Sequence, residues 1–275
     1  MLKNKARKKH IKTIAVASGK GGVGKTNVVA SLAIAIKKMG KEVLVIDADL
    51  GLSNIDVLLQ LTPRHNIQNV LNGEKRLSEV IINGPQGIKI LPAGSGVQEL
   101  TSLDEFQKLK LLEEFDAYEE DIDVVLIDTA AGVSTNVSFF CVAAEHIIVV
   151  TSPEPTAITD AYALIKVLFT RYQEKYFSVL INSVRNSNEA MDVFRRLSLA
   201  TERFLNLSLD CLGFIPFDND VQRAVRSQRA FIEAYPNSPA SRQILDIASR
   251  IMNKNGKVTG SLQFFIGNLI SAHSD

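Results

Sequence analysis

Eight consecutive residues carry the densest chemistry in the chain: Gly19-Lys20-Gly21-Gly22-Val23-Gly24-Lys25-Thr26. They fit GxxxxGK followed by serine or threonine, and they lie between an apolar run and a helix-period segment, where a phosphate-binding loop belongs. Glycines let the backbone turn its N–H groups towards phosphate oxygens, and the following helix adds the positive end of its dipole. Lys25 neutralises the outer phosphates, Thr26 offers its hydroxyl to Mg²⁺, and Asn27 completes the expected nucleotide-contacting run. The ligands implied are ATP and Mg²⁺.

Two acidic strand ends complete this chemistry. In Val124-Val125-Leu126-Ile127-Asp128 an apolar strand delivers a carboxylate to the carboxyl edge of a sheet, where ligands bind in open α/β folds. Asp128 is expected to reach the metal through water. Thr129 follows it, so the neighbouring glutamate base of many ATPases is missing and the attacking water must be positioned from elsewhere. Val43-Leu44-Val45-Ile46-Asp47-Ala48-Asp49 offers two more carboxylates, Asp49 to orient that water and Asp47 to support the metal. Lys25 and Asp49 are thus catalytic candidates, and Thr26, Asp47 and Asp128 the metal candidates.

These residues need a scaffold that brings strand ends together. Apolar, β-rich runs at 13–17, 42–46, 88–91, 123–127, 146–150, 178–181 and 211–215 alternate with helix-period segments at 25–39, 104–118, 156–171, 189–204 and 239–252. That alternation predicts an α/β fold with a doubly wound, mostly parallel sheet covered by helices on both faces. Gly40 fits as the stop of the first helix. The expected organisation is a basic arm at 1–12, a body at 13–252, a linker at 253–260 and an amphipathic tail helix at 261–275. In that tail Leu262, Phe265, Ile266, Leu269 and Ile270 fall on one helical face, a candidate membrane helix.

The chain has 275 residues, 46% hydrophobic and 22% charged, enough for one substantial core. Its apolar runs are too short to cross a bilayer, and residues 1–12 lack a signal-peptide pattern, so a cytoplasmic protein is expected. Those residues hold Lys3, Lys5, Arg7, Lys8, Lys9 and Lys12 without an acid, whereas the whole chain has a net charge of +1. The body is therefore net acidic, which argues against specific nucleic-acid binding. Cys141 and Cys211 are the only cysteines and form no CxxC pair, so neither a disulfide framework nor a zinc site is indicated.

The lysine inside the phosphate loop, Lys20, resembles the extra lysine of the deviant Walker A ATPases, which include MinD, ParA and the nitrogenase iron protein. That resemblance implies a homodimer in the ATP state, with Lys20 reaching the partner's nucleotide where other enzymes use an arginine finger. Asp47-Ala-Asp-Leu-Gly-Leu-Ser-Asn-Ile-Asp-Val-Leu-Leu59, Ile127-Asp-Thr-Ala-Ala-Gly132, Ile158-Thr-Asp-Ala-Tyr-Ala-Leu-Ile-Lys166, Gly213-Phe-Ile-Pro-Phe-Asp218 and the Phe264-Phe265 tail are similar to the flagellar-number regulators FleN and FlhG. The similarity runs from about residue 13 to 270. It implies that Asn182, Pro216, Phe217 and Asp218 line an adenine pocket and that Asp128 to Gly132 form a second switch. It also implies partners: a FleQ-like transcriptional activator, the GTPase FlhF, and a peripheral membrane contact through the tail at a cell pole. Some members stimulate FlhF through a DQAxxLR-like pattern, which residues 1–12 do not contain.

Sibling functions in the same family are a MinD-like division regulator and a ParA-like DNA-partition ATPase. Arg223, Arg226 and Arg229, spaced by three, would form the DNA patch of the latter or a solvated face. A cluster-carrying role needs cysteine ligands in switch positions, and Cys141 and Cys211 fall instead in a helical and a strand segment.

Overall fold

Strands in the middle of this chain are apolar on both sides, and the sheet they form is covered on both sides. The computed structural model describes residues 10–50, 54–94, 104–118 and 120–254. The arm through residue 9 and the expected tail helix lie outside the described residues, as does the expected linker from 255 on.

Eight strands form one sheet in the order β3-β4-β2-β5-β1-β6-β7-β8. They are β1 (Lys12–Ser18), β2 (Val43–Ala48), β3 (Ile82–Asn83), β4 (Lys89–Leu91), β5 (Val124–Ala131), β6 (His146–Thr151), β7 (Phe177–Val184) and β8 (Asp210–Pro216). Every pairing is parallel except β3 with β4. The doubly wound, mostly parallel sheet expected from the sequence is therefore present. Between the strands run α1 (Lys25–Lys38), α2 (Ile55–Leu58), α3 (Ile67–Leu71), α4 (Leu77–Val80), α5 (Glu105–Ala117), α6 (Thr135–Ala143), α7 (Pro155–Tyr172), α8 (Ser187–Leu205), α9 (Asn219–Arg226), α10 (Phe231–Ala234) and α11 (Pro239–Asn253).

Alternate residues of each central strand enter different cores. Ile14 and Val16 of β1, Val43 and Val45 of β2 and Val124 and Leu126 of β5 pack with α1, α10 and α11. Leu44 and Ile46, with Val125 and Ile127, pack with α3, α4 and α5 on the opposite face. Ala15 and Ala17 continue that face under α6, α7 and α8. Burying each Val, Leu or Ile side chain contributes roughly 1.5–3 kcal/mol, so two-sided burial favours apolar runs over alternation.

The amino edge of the sheet closes α11. Lys12 donates to the carbonyls of Ile251 (2.9 Å) and Lys254 (2.7 Å), two acceptors that the helix itself leaves open. Burial lowers the pKa of its ammonium, and the nearby Glu145 carboxylate works in the opposite direction. No helix among the described residues is long and apolar enough to cross a membrane.

Candidate functional site

The phosphate loop leaves β1 in the centre of the sheet, between β5 and β6, and enters α1. Strand order reverses here, which opens a crevice at the carboxyl edge. Gly24 caps α1 in the left-handed region, φ 89° and ψ 17°, and a Cβ there would collide with the Asn182 amide. Gly19 lies against the α7 backbone at Asp160, and a Cβ would strike it. Both positions exclude any larger residue, one by conformation and one by space.

Asp47 and Asp128 are direct neighbours across β2 and β5, so the two carboxylates share the sheet edge. Both are buried, as is Lys25. Lys25 Nζ lies 2.6 Å from Asp128 Oδ1, closing an ion pair beneath the loop. Asp47 accepts the N–H of Asp49 at 3.1 Å on one oxygen and those of Asn54 and Ile55, each at 3.4 Å, on the other. Thr26, Asn27 and Asp49 line an open cleft of about 420 Å³ with the loop, and Val57, Val225 and Gln228 form its far wall. Asp49 is the only carboxylate among the described residues of that lining.

A hydroxyl and nearby carboxylates are hard oxygen donors, the set that Mg²⁺ takes while keeping phosphate and water as its other ligands. Among the described residues no group of three or more His, Cys, Asp or Glu side chains forms a self-sufficient metal cage. The donor set therefore fits a cation that arrives with its nucleotide.

Lys20 points elsewhere. Its Nζ is 2.5 Å from Glu154 Oε2 and donates to Thr156 Oγ1 at 2.8 Å, at the start of α7. Neither Glu154, the cap of α7, nor Thr156 stood out in the sequence. The Pro153-Glu154-Pro155-Thr156 turn was their only signal, since proline at the first helical position fixes where α7 begins.

On the other side of the loop a second recess is lined by Gly22, Val23, Gly24, Asn182, Ser183 and Phe217, among others. Asn182 Nδ2 donates to the Val23 carbonyl at 2.7 Å, tying β7 to the loop. Phe217 is held by its N–H to the Val184 carbonyl at 2.7 Å and leaves its ring half-exposed. Pro216 and Asp218 are not in that lining. Pro216 ends β8 opposite Val184, and Asp218 caps α9 while its second oxygen accepts the N–H of Ala240 at 3.1 Å.

β5 continues through Ala131, four residues beyond the expected strand end, so most of the Asp128 to Gly132 switch segment is strand. Gly132 then donates to the Ser18 carbonyl at 2.9 Å. The extension arises because Thr129 and Ala131 still find partners, at Ala48 and Ser18. Of the three arginines, Arg223 pairs with Asp220 at 3.0 Å and Arg229 approaches Glu233 at 3.7 Å. Cys141 lies buried in α6, its thiol pushed up to about 12 by burial, and Cys211 is in β8.

A phosphate loop on a doubly wound sheet, with buried acids at neighbouring strand ends, defines a P-loop nucleotide-binding protein. Comparison with known proteins agrees. The family model described as ParA, NUBPL iron-transfer P-loop NTPase, matches residues 9–252. The antiactivator FleN of Pseudomonas aeruginosa is 41% identical, over 94% of this chain and 94% of its own. The flagellum site-determining protein YlxH of Helicobacter pylori is 34% identical, over 93% of this chain and 86% of its own. Among solved structures, the septum site-determining protein MinD of Pyrococcus horikoshii, complexed with Mg-ADP, superposes with a TM-score of 0.72 at 24% identity, covering 88% of this chain and 96% of its own. The chain belongs to the ParA/MinD family of P-loop NTPases, in the group that contains FleN.

Proposed function

We propose that this protein is an ATP-binding and ATP-hydrolysing switch that pairs with a second copy of itself in the ATP state and regulates flagellar number and placement. The observation that carries the reading is one loop holding two lysines in different settings. Lys25 is buried against Asp128, under the position of the phosphates, and Lys20 is at the rim, on α7. A lysine at the rim can reach a partner's nucleotide, where a second cation stabilises the charge that phosphoryl transfer spreads.

In this reading the loop from Gly19 to Asn27 binds the phosphates and Asn182 and Phe217 border the base, with Pro216 and Asp218 behind them. Thr26 holds Mg²⁺, with Asp47 and Asp128 supporting it through water. The metal, when bound, neutralises phosphate charge. Asp49 orients the attacking water, and the segment from Asp128 to Gly132 responds to the outer phosphate.

The flagellar role rests on likeness to an antiactivator and to a flagellum site-determining protein. By that likeness the partners are a FleQ-like transcriptional activator and the FlhF system. The tail, residues 261–275 beyond a linker at 253–260, brings the cytoplasmic protein to the membrane surface, at a cell pole, in the ATP state.

Removing the gene and counting flagella per cell tests the biological reading, and the expected result is more flagella than normal. Normal flagellation with misplaced septa would replace it with a division role, and failed plasmid or chromosome partition with a ParA-like one. The biochemical arm is Asp49→Ala, expected to keep ATP binding, stop turnover and accumulate a dimer. Wild-type turnover in that variant would remove Asp49 from the mechanism.

A further inference from the structure

The four-residue helix α2 follows the acidic end of β2 and forms part of the cleft wall. A helix this short cannot hold itself, because nucleation costs more than one turn of hydrogen bonds returns. It is fastened from outside at both ends. At its start, the N–H groups of Asn54 and Ile55 meet one oxygen of Asp47, whose other oxygen accepts the N–H of Asp49. Near its end, the carbonyl of Val57 accepts a 2.9 Å hydrogen bond from Nε2 of Gln228, 171 residues further along the chain. The same carbonyl also accepts the N–H of Gln60, at the longer distance of 3.4 Å.

Gln228 adopts φ 52° as the left-handed closing residue of α9, its N–H on the Val225 carbonyl at 3.0 Å and that of Arg229 on the Ala224 carbonyl at 3.1 Å, a turn that fixes where its side chain starts. It stands two residues past α9, the helix that starts just after Phe217 of the base-side recess and brings Val225 to the phosphate-side cleft. Its side chain crosses to α2, and both lie in the cleft lining with Thr26 and Asp49.

We propose that Gln228 is a positioning residue that pins α2 to α9 and so, through the carboxylate of Asp47, sets the backbone of Asp49 at the mouth of the phosphate loop. The proposal rests on the nucleotide reading given above. Gln228 touches neither nucleotide nor metal in it. Its amide holds Val57, α2 holds its place against Asp47, and Asp47 holds the Asp49 N–H. The same tether links the segment bearing Asp49 to the helix that begins at the base side, so one element spans both ends of the cleft.

Three variants test it. Gln228→Glu keeps the length but replaces the donor with an acceptor that repels a carbonyl. Gln228→Gly accepts the left-handed backbone and removes the side chain. Gln228→Lys restores a donor. In the first two, kcat should fall about five- to tenfold and half-maximal activation should need several-fold more Mg²⁺, with ATP affinity changed less than about twofold. Gln228→Gly should melt no lower than wild type, since glycine is the favoured residue at a left-handed helix stop, and Gln228→Lys should recover at least half of kcat. Amide hydrogen exchange over residues 54–60 without nucleotide reads the tether independently of turnover and should quicken in Gln228→Gly. Wild-type kcat and Mg²⁺ dependence in Gln228→Gly, or unchanged exchange over 54–60, would overturn the proposal. A wild-type protein that hydrolyses no ATP would overturn the nucleotide reading instead, and unchanged exchange would then still sink the tether separately.

Discussion

Lys20 of the phosphate loop is bound by Glu154 of its own chain, Nζ to Oε2 at 2.5 Å, with Thr156 accepting a second hydrogen bond at 2.8 Å. The cation proposed to serve a partner's nucleotide is therefore held on α7 in the single chain. Release must come before any reach across a dimer. The Glu154 side chain is 65% exposed, so the pair contributes no more than about 1 kcal/mol, a latch that ATP-driven pairing can open. Glu154→Gln is expected to promote ATP-dependent dimerisation up to about fivefold, measured by sedimentation. Lys20→Ala should leave ADP binding intact and weaken both dimerisation and hydrolysis. Full turnover by a strictly monomeric Lys20→Ala protein would rule out action in trans.

The buried pair of Lys25 and Asp128 has a different energetics. Removing one partner leaves the other charge buried alone, which costs roughly 3–5 kcal/mol. Lys25→Ala should thus lose nucleotide binding and also melt well below wild type, by about 2–4 °C per kcal/mol in a body of this size. Lys25→Ala combined with Asp128→Ala should recover part of that loss, because no unpaired charge remains. A double variant less stable than Lys25→Ala alone would show that Asp128 is held by other contacts.

Much of this architecture was legible because its signals are local. The strand runs at 13–17 and 123–127 are apolar after their first residues, Thr13 and Asp123, and the structure places the strands at Lys12–Ser18 and Val124–Ala131. The expected helix at 239–252 is Pro239–Asn253, its start marked by a Ser238 cap and a proline. Four short helices, α2, α3, α4 and α10, were invisible for the opposite reason. Segments of four or five residues have too few turns to show a period and owe their conformation to distant groups, as α2 does to Asp47 and Gln228. The antiparallel β3 has two residues and no pattern at all. In the site, the loop and its acids were readable from type and spacing, whereas Glu154, Thr156 and Gln228 were not. Their importance comes from which loops the sheet order places side by side, and that order leaves no mark on the local sequence.

The two thiols should respond differently to a probe. Cys141 is fully buried and its thiol is pushed up to about 12, first by desolvation. Cys211 is half-buried in β8, and burial raises its pKa as well. A raised folded pKa keeps the proton on, so at neutral pH neither supplies much thiolate. Maleimide labelling of the native protein is expected to be slow and confined to Cys211, with Cys141 reacting only in denaturant. For Cys141 the sign also fixes a stability trend: the folded state favours the thiol, so stability falls as pH rises from about 9 towards about 12. Rapid native labelling that persists in Cys211→Ser would mean that α6 opens readily.

Asn182 sets the expected choice of base. A carbonyl cannot donate, so the contact at 2.7 Å with Val23 identifies the group facing the loop as the Asn182 NH₂, and the amide's orientation follows. Asn182 lines the recess with Phe217 and Ser183, and its Oδ1 is expected to serve the base there as an acceptor. An acceptor pairs with the exocyclic amino group of adenine and opposes the carbonyl oxygen at the same position of guanine. Orientation is the decisive element, since a freely turning amide would serve either base. The tie to Val23 also keeps β7 against the left-handed turn at Gly24, so the same side chain is expected to position both base and phosphates. ATP is expected to bind at least tenfold more tightly than GTP, because a site built to accept a hydrogen bond leaves a buried group unpaired with the wrong base. Asn182→Ala should reduce that ratio to near one, weaken ATP itself, and destabilise the fold by about 1 kcal/mol through the lost bond to Val23. Calorimetric titration of both nucleotides against both proteins reads these effects. Undiminished discrimination in Asn182→Ala would place the selecting group elsewhere in the recess, with the Ser183 hydroxyl the next to substitute.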